Sequence, residues 1–150
     1  MRLFIQRVSE ASVRVDGGVA GEIGKGLMVL VGVENGDGEE DADWLASKTV
    51  KMRIFPDEND VMNKSLIDVE GEVLAISQFT LTASTAKGNR PSYIRAAKGE
   101  EARHLYDYFC DRVKTLIGRN VEKGIFGADM KVSLINDGPV TIIIDSRLRE

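Results

Sequence analysis

At the start of the chain apolar residues fall at alternating positions, with Leu3 and Ile5 in one run and Val13 and Val15 in the next. A period of two puts such side chains on one face of a strand, which predicts strands over residues 2–9 and 11–16. Asp16-Gly17-Gly18 supplies the turn chemistry for a hairpin into residues 19–23, so the chain reads as opening with a β-meander. Residues 26–33 (GLMVLVGV) are continuously apolar, as a strand buried on both faces would be. Residues 37–53 carry acids at the start, Leu45, Thr49 and Met52 on one face, and Lys48, Lys51 and Arg53 near the end. These signals predict a helix, closed by Phe55-Pro56. Residues 57–65 are polar and turn-like, and 73–79 (VLAISQF) read as a second buried strand running into a basic loop at 82–94. From 100 to 117, Ala102, Leu105, Tyr106, Phe109, Cys110, Val113, Leu116 and Ile117 follow helical spacing, and Gly118 is placed to cap them. Strands are expected near 121–126, 130–135 and 140–145, the last two joined by a turn at Asn136-Asp137-Gly138-Pro139. The whole reads as an α+β domain in which two helices pack on a curved, barrel-like sheet.

Composition narrows the class. The chain of 150 residues is 43% hydrophobic, with three prolines, scattered glycines and no low-complexity tract, so one domain over 1–150 is expected. Its N-terminus meets Arg7 after four apolar residues, and no stretch approaches the roughly 20 apolar residues that span a bilayer. A cytoplasmic protein is expected, without secretion or membrane insertion. Cys110 is the only cysteine, which removes intrachain disulfides and thiolate clusters. The net charge of −4 argues against gripping nucleic acid over the entire surface. Locally the balance inverts: between Thr85 and Arg119 eight basic residues face four acidic ones. That excess fits a solvated loop and helix face, or a nucleic-acid contact around 87–98. The acidic run from Glu34 to Asp43 is read as structural, acids being favourable at a helix start.

The usual catalytic sets are missing. His104 is the single histidine and falls beside the apolar stripe of its helix, as a surface histidine would. No nucleophile–His–acid set and no metal-ligand spacing accompanies it. Cys110 lies inside the stripe, where a small buried hydrophobe is expected rather than a reactive thiolate. Two segments remain. Ser77-Gln78-Phe79-Thr80-Leu81-Thr82 places hydroxyls and an amide where a hydrophobic strand enters a loop, and Asn136-Asp137-Gly138-Pro139-Val140-Thr141 joins two strands. Each can be an ordinary polar strand end or turn, and each can be part of a site; the residues by themselves leave both open. A Gly-Pro bond reaches the cis form at only about 0.5–1 kcal/mol, which would turn adjacent carbonyls the same way.

With these two segments the chain resembles the D-aminoacyl-tRNA deacylases, a family marked by an SQFTL-type strand end and a C-terminal NDGPVT-type segment, the Gly-cisPro motif. The likeness extends to IQRVSEASVRVDG, GLMVLVGV, RIFPD, NRPSY, LYDYF and DMKVSLINDGPVT, nearly the full chain. The charged tail at 145–150 is a modest departure. The resemblance implies a homodimer of barrel-like subunits with sites at the dimer interface, working without metal or organic cofactor. Its substrate would be the ester joining a D-amino acid, or glycine, to the 3′-terminal adenosine of tRNA. An ester carbonyl attacked by water develops an oxyanion, and one preorganised donor to it is commonly worth about 3–4 kcal/mol. The resemblance assigns that part to backbone N–H groups of Phe79 and Thr80, the positioning of the adenosine to Ser77 and Gln78, and water activation to the adenosine's own 2′-hydroxyl. Phe126 and Met130 match positions lining the adenine pocket; as plain sequence they are equally core residues. Arg7 matches a position that steadies the Gly138-Pro139 segment, which would exclude L side chains from the partner's site; as plain sequence it is a charge on a strand's outer face. Two other readings stay open: a module that binds adenosine or RNA without turnover, and a hydrolase with Thr80 as nucleophile, although no base accompanies that hydroxyl.

Overall fold

The computed structural model describes residues 1–150. In chain order the elements are β1 (Arg2–Val15), β2 (Gly18–Ile23), β3 (Gly26–Gly32), α1 (Glu39–Lys51), β4 (Phe55–Pro56), β5 (Met62–Lys64), β6 (Glu72–Ser77), a 3-10 turn (Phe79–Thr82), α2 (Gly99–Ile117), β7 (Glu122–Lys123) and β8 (Lys131–Asp145). The α+β reading holds: two helices lie on a strongly curved, mixed, barrel-like sheet.

β1 runs unbroken through the two strands expected at 2–9 and 11–16, because β8 lies antiparallel along it from Arg2↔Asp145 to Arg14↔Lys131. With that edge taken, β2 and β3 share the other, β2 opposite residues 11–15 and β3 opposite residues 2–8. The expected meander is therefore corrected: β3 returns to β1 instead of pairing with β2. From β3 the sheet continues in parallel to β6 and then to the short β7. Phe55-Pro56 does more than end a helix, since it pairs with Met62–Lys64 in a separate small ribbon.

The segment 136–139 is not a hairpin turn. Both predicted C-terminal strands belong to one strand, β8, which stays on β1 on either side of Gly138-Pro139. The register slips between Gln6 and Val8 and between Val8 and Glu10, and the Gly138-Pro139 peptide is cis. A proline has no N–H for a ladder and is confined to edges and irregularities; β8 is such an edge, its outer side having no partner strand. Apolar alternation on either side of turn-forming residues looks alike whether the chain reverses or runs on.

The apolar run in β3 is buried on both faces, as its composition predicts. Leu27, Val29 and Val31 belong to a core shared with the helices through Leu45, Val50, Leu105 and Phe109. Met28 turns the other way into a smaller core with Val8, Val13, Leu74 and Ile76, against which Met130 and Leu134 pack. The curvature thus encloses a second apolar layer. α1 starts with Glu39, Glu40 and Asp41, and Asp41 accepts a 2.9 Å hydrogen bond from the Gly38 N–H. α2 buries the stripe from Ala102 to Val113 and ends on Gly118 in the left-handed region, φ 70°. Neither helix is long and apolar enough to cross a membrane.

The sheet end carries an acid-sensitive clasp. Asp145 accepts from Arg2 Nε and Nη2 at 3.0 and 2.9 Å and from the Arg147 N–H at 2.9 Å. Partial burial opposes its charge, but the Arg147 N–H and the Arg2 guanidinium outweigh that and hold the carboxyl below its ordinary value. A depressed carboxylate pKa contributes stability that is whole above the unfolded value, about 3.9, and is lost as pH falls through the lower folded value. Asp145→Asn should therefore lower Tm at neutral pH and flatten the acid limb of Tm against pH below about pH 4. An acid limb unchanged from wild type would remove Asp145 from that role.

Candidate functional site

β6 ends where Ser77 pairs with Val31, and the Gln78 N–H still donates to the Val31 carbonyl at 2.8 Å. The backbone then tightens into the 3-10 turn. Thr82 Oγ1 donates to the Phe79 carbonyl at 2.8 Å, Leu81 N–H to the Gln78 carbonyl at 3.3 Å, and the Gln78 amide to the Thr80 hydroxyl. The N–H groups of Phe79 and Thr80 open this turn, so no carbonyl of the turn precedes them, and neither bonds a protein acceptor.

Beside the turn lies a cavity of about 310 Å³. Its rim carries Ser77, Gln78 and Phe79 on one side and Phe126, Asp129 and Met130 on the other; Ala97, Ala102 and Tyr106 form its floor. Tyr106 donates to the Ala75 carbonyl at 2.8 Å, and burial raises its phenol pKa, so it stays protonated. Its ring lies 5.9 Å from that of Phe126, over which Arg103 sits at 4.9 Å. Met130 reaches the cavity because Gly124 leaves its sulfur the space a Cβ would fill. The cavity is apolar with polar groups on one side, as expected of a site for a flat aromatic ligand with a polar appendage. A second groove, between α1 and the end of β8, holds Trp44, Ile143 and Leu148 but none of the predicted site residues.

Five of the predicted site residues, Ser77, Gln78, Phe79, Phe126 and Met130, thus meet at one cavity, and Thr80 joins them through Gln78. The other three, Arg7, Gly138 and Pro139, meet elsewhere. Arg7 is not on an outer face: it is 8% exposed, with Nε donating to the Asp137 carbonyl at 2.9 Å and Nη1 to the Ile54 carbonyl at 2.6 Å. A buried guanidinium needs such partners. Gly138 and Pro139 themselves are exposed. They lie on β8 near the level of Arg7, whereas Ser77 lies on β6 at the level of Leu3. Along the sheet that is about 13 Å in strand direction and about 14 Å across three strand spacings.

The family profile described as D-Tyr-tRNA(Tyr) deacylase matches residues 4–145. A protein named D-aminoacyl-tRNA deacylase from Flavobacterium johnsoniae is 59% identical over 150 residues, all of both chains. One of the same name from Chromobacterium violaceum is 58% identical over 147 residues, 98% of each.

The chain belongs to the D-aminoacyl-tRNA deacylase family.

Among solved structures, one titled c-Myc DNA Unwinding Element Binding Protein superposes with a TM-score of 0.90 at 36% identity, over 97% of this chain and 98% of that one. Another, of a probable eukaryotic D-amino acid tRNA deacylase, shares the fold with a TM-score of 0.80 at 18% identity, over 95% and 97%. As a deacylase of this family the chain is an ester hydrolase, and its other chemistry-bearing residues fall outside the cavity. His104 is exposed and sits 2.9 Å from Glu39. No group of three or more His, Cys, Asp or Glu side chains is gathered for a metal. Cys110 is buried, and burial pushes its thiol up to about 12.

Sequence reasoning placed Ala102 and Tyr106 in the core and did not mark Asp129. The first two are core residues whose side chains also close the cavity, which helical spacing cannot distinguish. Cys110 makes a sharp check on this deacylase site. Native protein should react with a thiol reagent at neutral pH only on the unfolding timescale and lose no activity after brief exposure. Rapid stoichiometric labelling with loss of activity would place a thiolate in the chemistry.

Proposed function

We propose that the chain hydrolyses the ester between a D-amino acid, or glycine, and the 3′-terminal adenosine of tRNA, releasing free tRNA. The observation that carries this is the cavity in which Ser77 and Gln78 face Phe126 and Met130 beside the unpaired N–H groups of Phe79 and Thr80, in a chain matching its family from end to end. The adenine would pack against the Phe126 ring and the Met130 thioether, with Ser77 and Gln78 orienting the ribose. The Phe79 and Thr80 N–H groups would receive the oxyanion as water adds to the ester carbonyl. No side chain near Thr80 is placed as its base, its hydroxyl being taken by the Gln78 amide; the adenosine 2′-hydroxyl is the group proposed to activate water.

Stereochemical choice is assigned to Gly138 and Pro139 of a second copy. They are exposed and held from behind by Arg7 through the Asp137 carbonyl, and their distance from Ser77 within one subunit calls for a partner. The unpaired outer edge of β8, with Val132, Ile135 and Ile143 exposed along the strand, supports a homodimer. Main-chain atoms so held would block an L side chain and leave D side chains free. A second reading follows from the nucleic-acid binding named for one structural relative: a module that holds RNA without turnover.

Multiple-turnover rates separate these readings. D-alanyl- and glycyl-tRNA should be cleaved at comparable rates and L-alanyl-tRNA negligibly, because glycine offers a steric barrier nothing to reject. A resistant glycyl ester, or a readily cleaved L ester, would sink exclusion, and binding without cleavage of any ester would favour the module. Thr80→Ala should keep activity within about tenfold of wild type, since its N–H survives. Complete loss in a folded variant, with an acyl group trapped on wild-type Thr80, would instead make that hydroxyl the nucleophile.

A further inference from the structure

Between Gln78 and Gly99 the chain carries Lys87, Arg90, Arg95 and Lys98 and no acidic residue, in a protein of net charge −4. All four cations are exposed. Arg95 is engaged, donating to the Thr82 carbonyl at 3.1 Å and lying 3.9 Å from Glu34; the other three make no ion pair. The segment has a defined shape. Ser84 and Ser92 exchange two backbone hydrogen bonds of 2.9 Å, closing residues 85–91 into a projecting loop. Its return limb is tied beyond the end of β3, with Asn35 N–H donating to the Arg95 carbonyl and Ala97 N–H to the Val33 carbonyl, each at 2.9 Å.

That anchoring sets Tyr93 against Phe79, edge to face, with ring centroids 5.1 Å apart and planes at 75°. Both rings are open to solvent, Phe79 at 56% and Tyr93 at 37%. Phe79 is also a rim residue of the cavity, so the pair begins at its mouth. Aromatic faces exposed beside unpaired cations match the requirements of single-stranded nucleic acid, whose bases stack and whose phosphates seek positive charge.

We propose that Phe79 and Tyr93 form a stacking step for the unpaired nucleotides preceding the terminal adenosine of the tRNA, with Lys87 and Arg90 meeting their phosphates. The inference rests on the adenosine occupying the cavity: a nucleotide chain leaving past Phe79 meets Tyr93 next and the projecting loop after it. Tyr93 lies outside the reacting groups, so its contribution belongs to binding of the polynucleotide and not to the ester chemistry.

Two substrates isolate that contribution, D-alanyl-tRNA and D-alanyl-adenosine, the latter having no preceding nucleotides. Tyr93→Ala should lower kcat/KM for the tRNA ester by about tenfold and leave the nucleoside ester unchanged, and Tyr93→Trp should restore the tRNA rate. A labelled acceptor-stem RNA with a single-stranded CCA end and no amino acid reads binding without hydrolysis. Its Kd should rise by about tenfold in Tyr93→Ala, and Arg90→Ala should reduce the salt dependence of log Kd by about 0.7. Equal losses on both substrates, or an unchanged Kd, would overturn the stacking step. Binding through Tyr93 by a wild-type protein that cleaves neither ester would uphold the step and sink the deacylase reading instead.

Discussion

β1 is paired along both edges, and every part of the candidate site takes its position from that strand. On one edge β8 follows it for nearly its full length; on the other β2 and β3 share it end to end. Leu3 and Ile5 point into the larger core while Val8 and Val13 serve the smaller one, the change of layer falling where the β8 register slips. Arg7 stands at that slip. Its buried guanidinium bridges the Asp137 carbonyl of β8 and the Ile54 carbonyl ahead of β4, so the chain around Gly138 is held by a side chain whose own charge demands those partners.

The same frame separates what the chemistry would bring together. β3 passes its register to β6 and sets Ser77, Gln78 and the 3-10 turn at one end of the sheet, while Gly138 and Pro139 stand three strands away on an unpaired edge. One subunit thus carries a cavity with donors and, at a distance, a rigid exposed projection. Division between two protomers turns this separation into complementarity: the group that rejects an L side chain is built on a different chain from the group that receives the oxyanion. The acid-free segment 79–98 then gives the mouth a positive, aromatic approach on an otherwise acidic protein.

How much of this could be read beforehand depended on whether local pattern or long-range pairing decides the feature. Both helices and the doubly buried β3 followed from periodicity, because burial of their own side chains defines them. β8 did not: Asn136 to Pro139 is turn chemistry by composition, and only the continuous partner β1 keeps the chain extended through it. Arg7 was misplaced on an outer face for a related reason, since the carbonyls that accept from it lie 47 and 130 residues away. Ser77 to Thr80 stood out as polar residues ending an apolar strand, and their resemblance to a family motif supplied roles that no spacing implied. The Phe79–Tyr93 pair left no local signal, being made by a loop that folds back over 13 residues.

The central claim, that each site is assembled from two chains, is tested most directly by mixing inactive variants. Thr80→Pro removes a backbone N–H from the cavity, which Thr80→Ala would not; Pro139→Trp places a bulky group on the exposed projection. Each variant, shown to fold and to dimerise, should be inactive alone on D-alanyl-tRNA. After subunit exchange, mixed dimers carry one site with a native cavity and a native partner projection, so activity should return to about a quarter of the wild-type level per protein. A mixture as inactive as its components would contradict the account and return the whole site to a single chain.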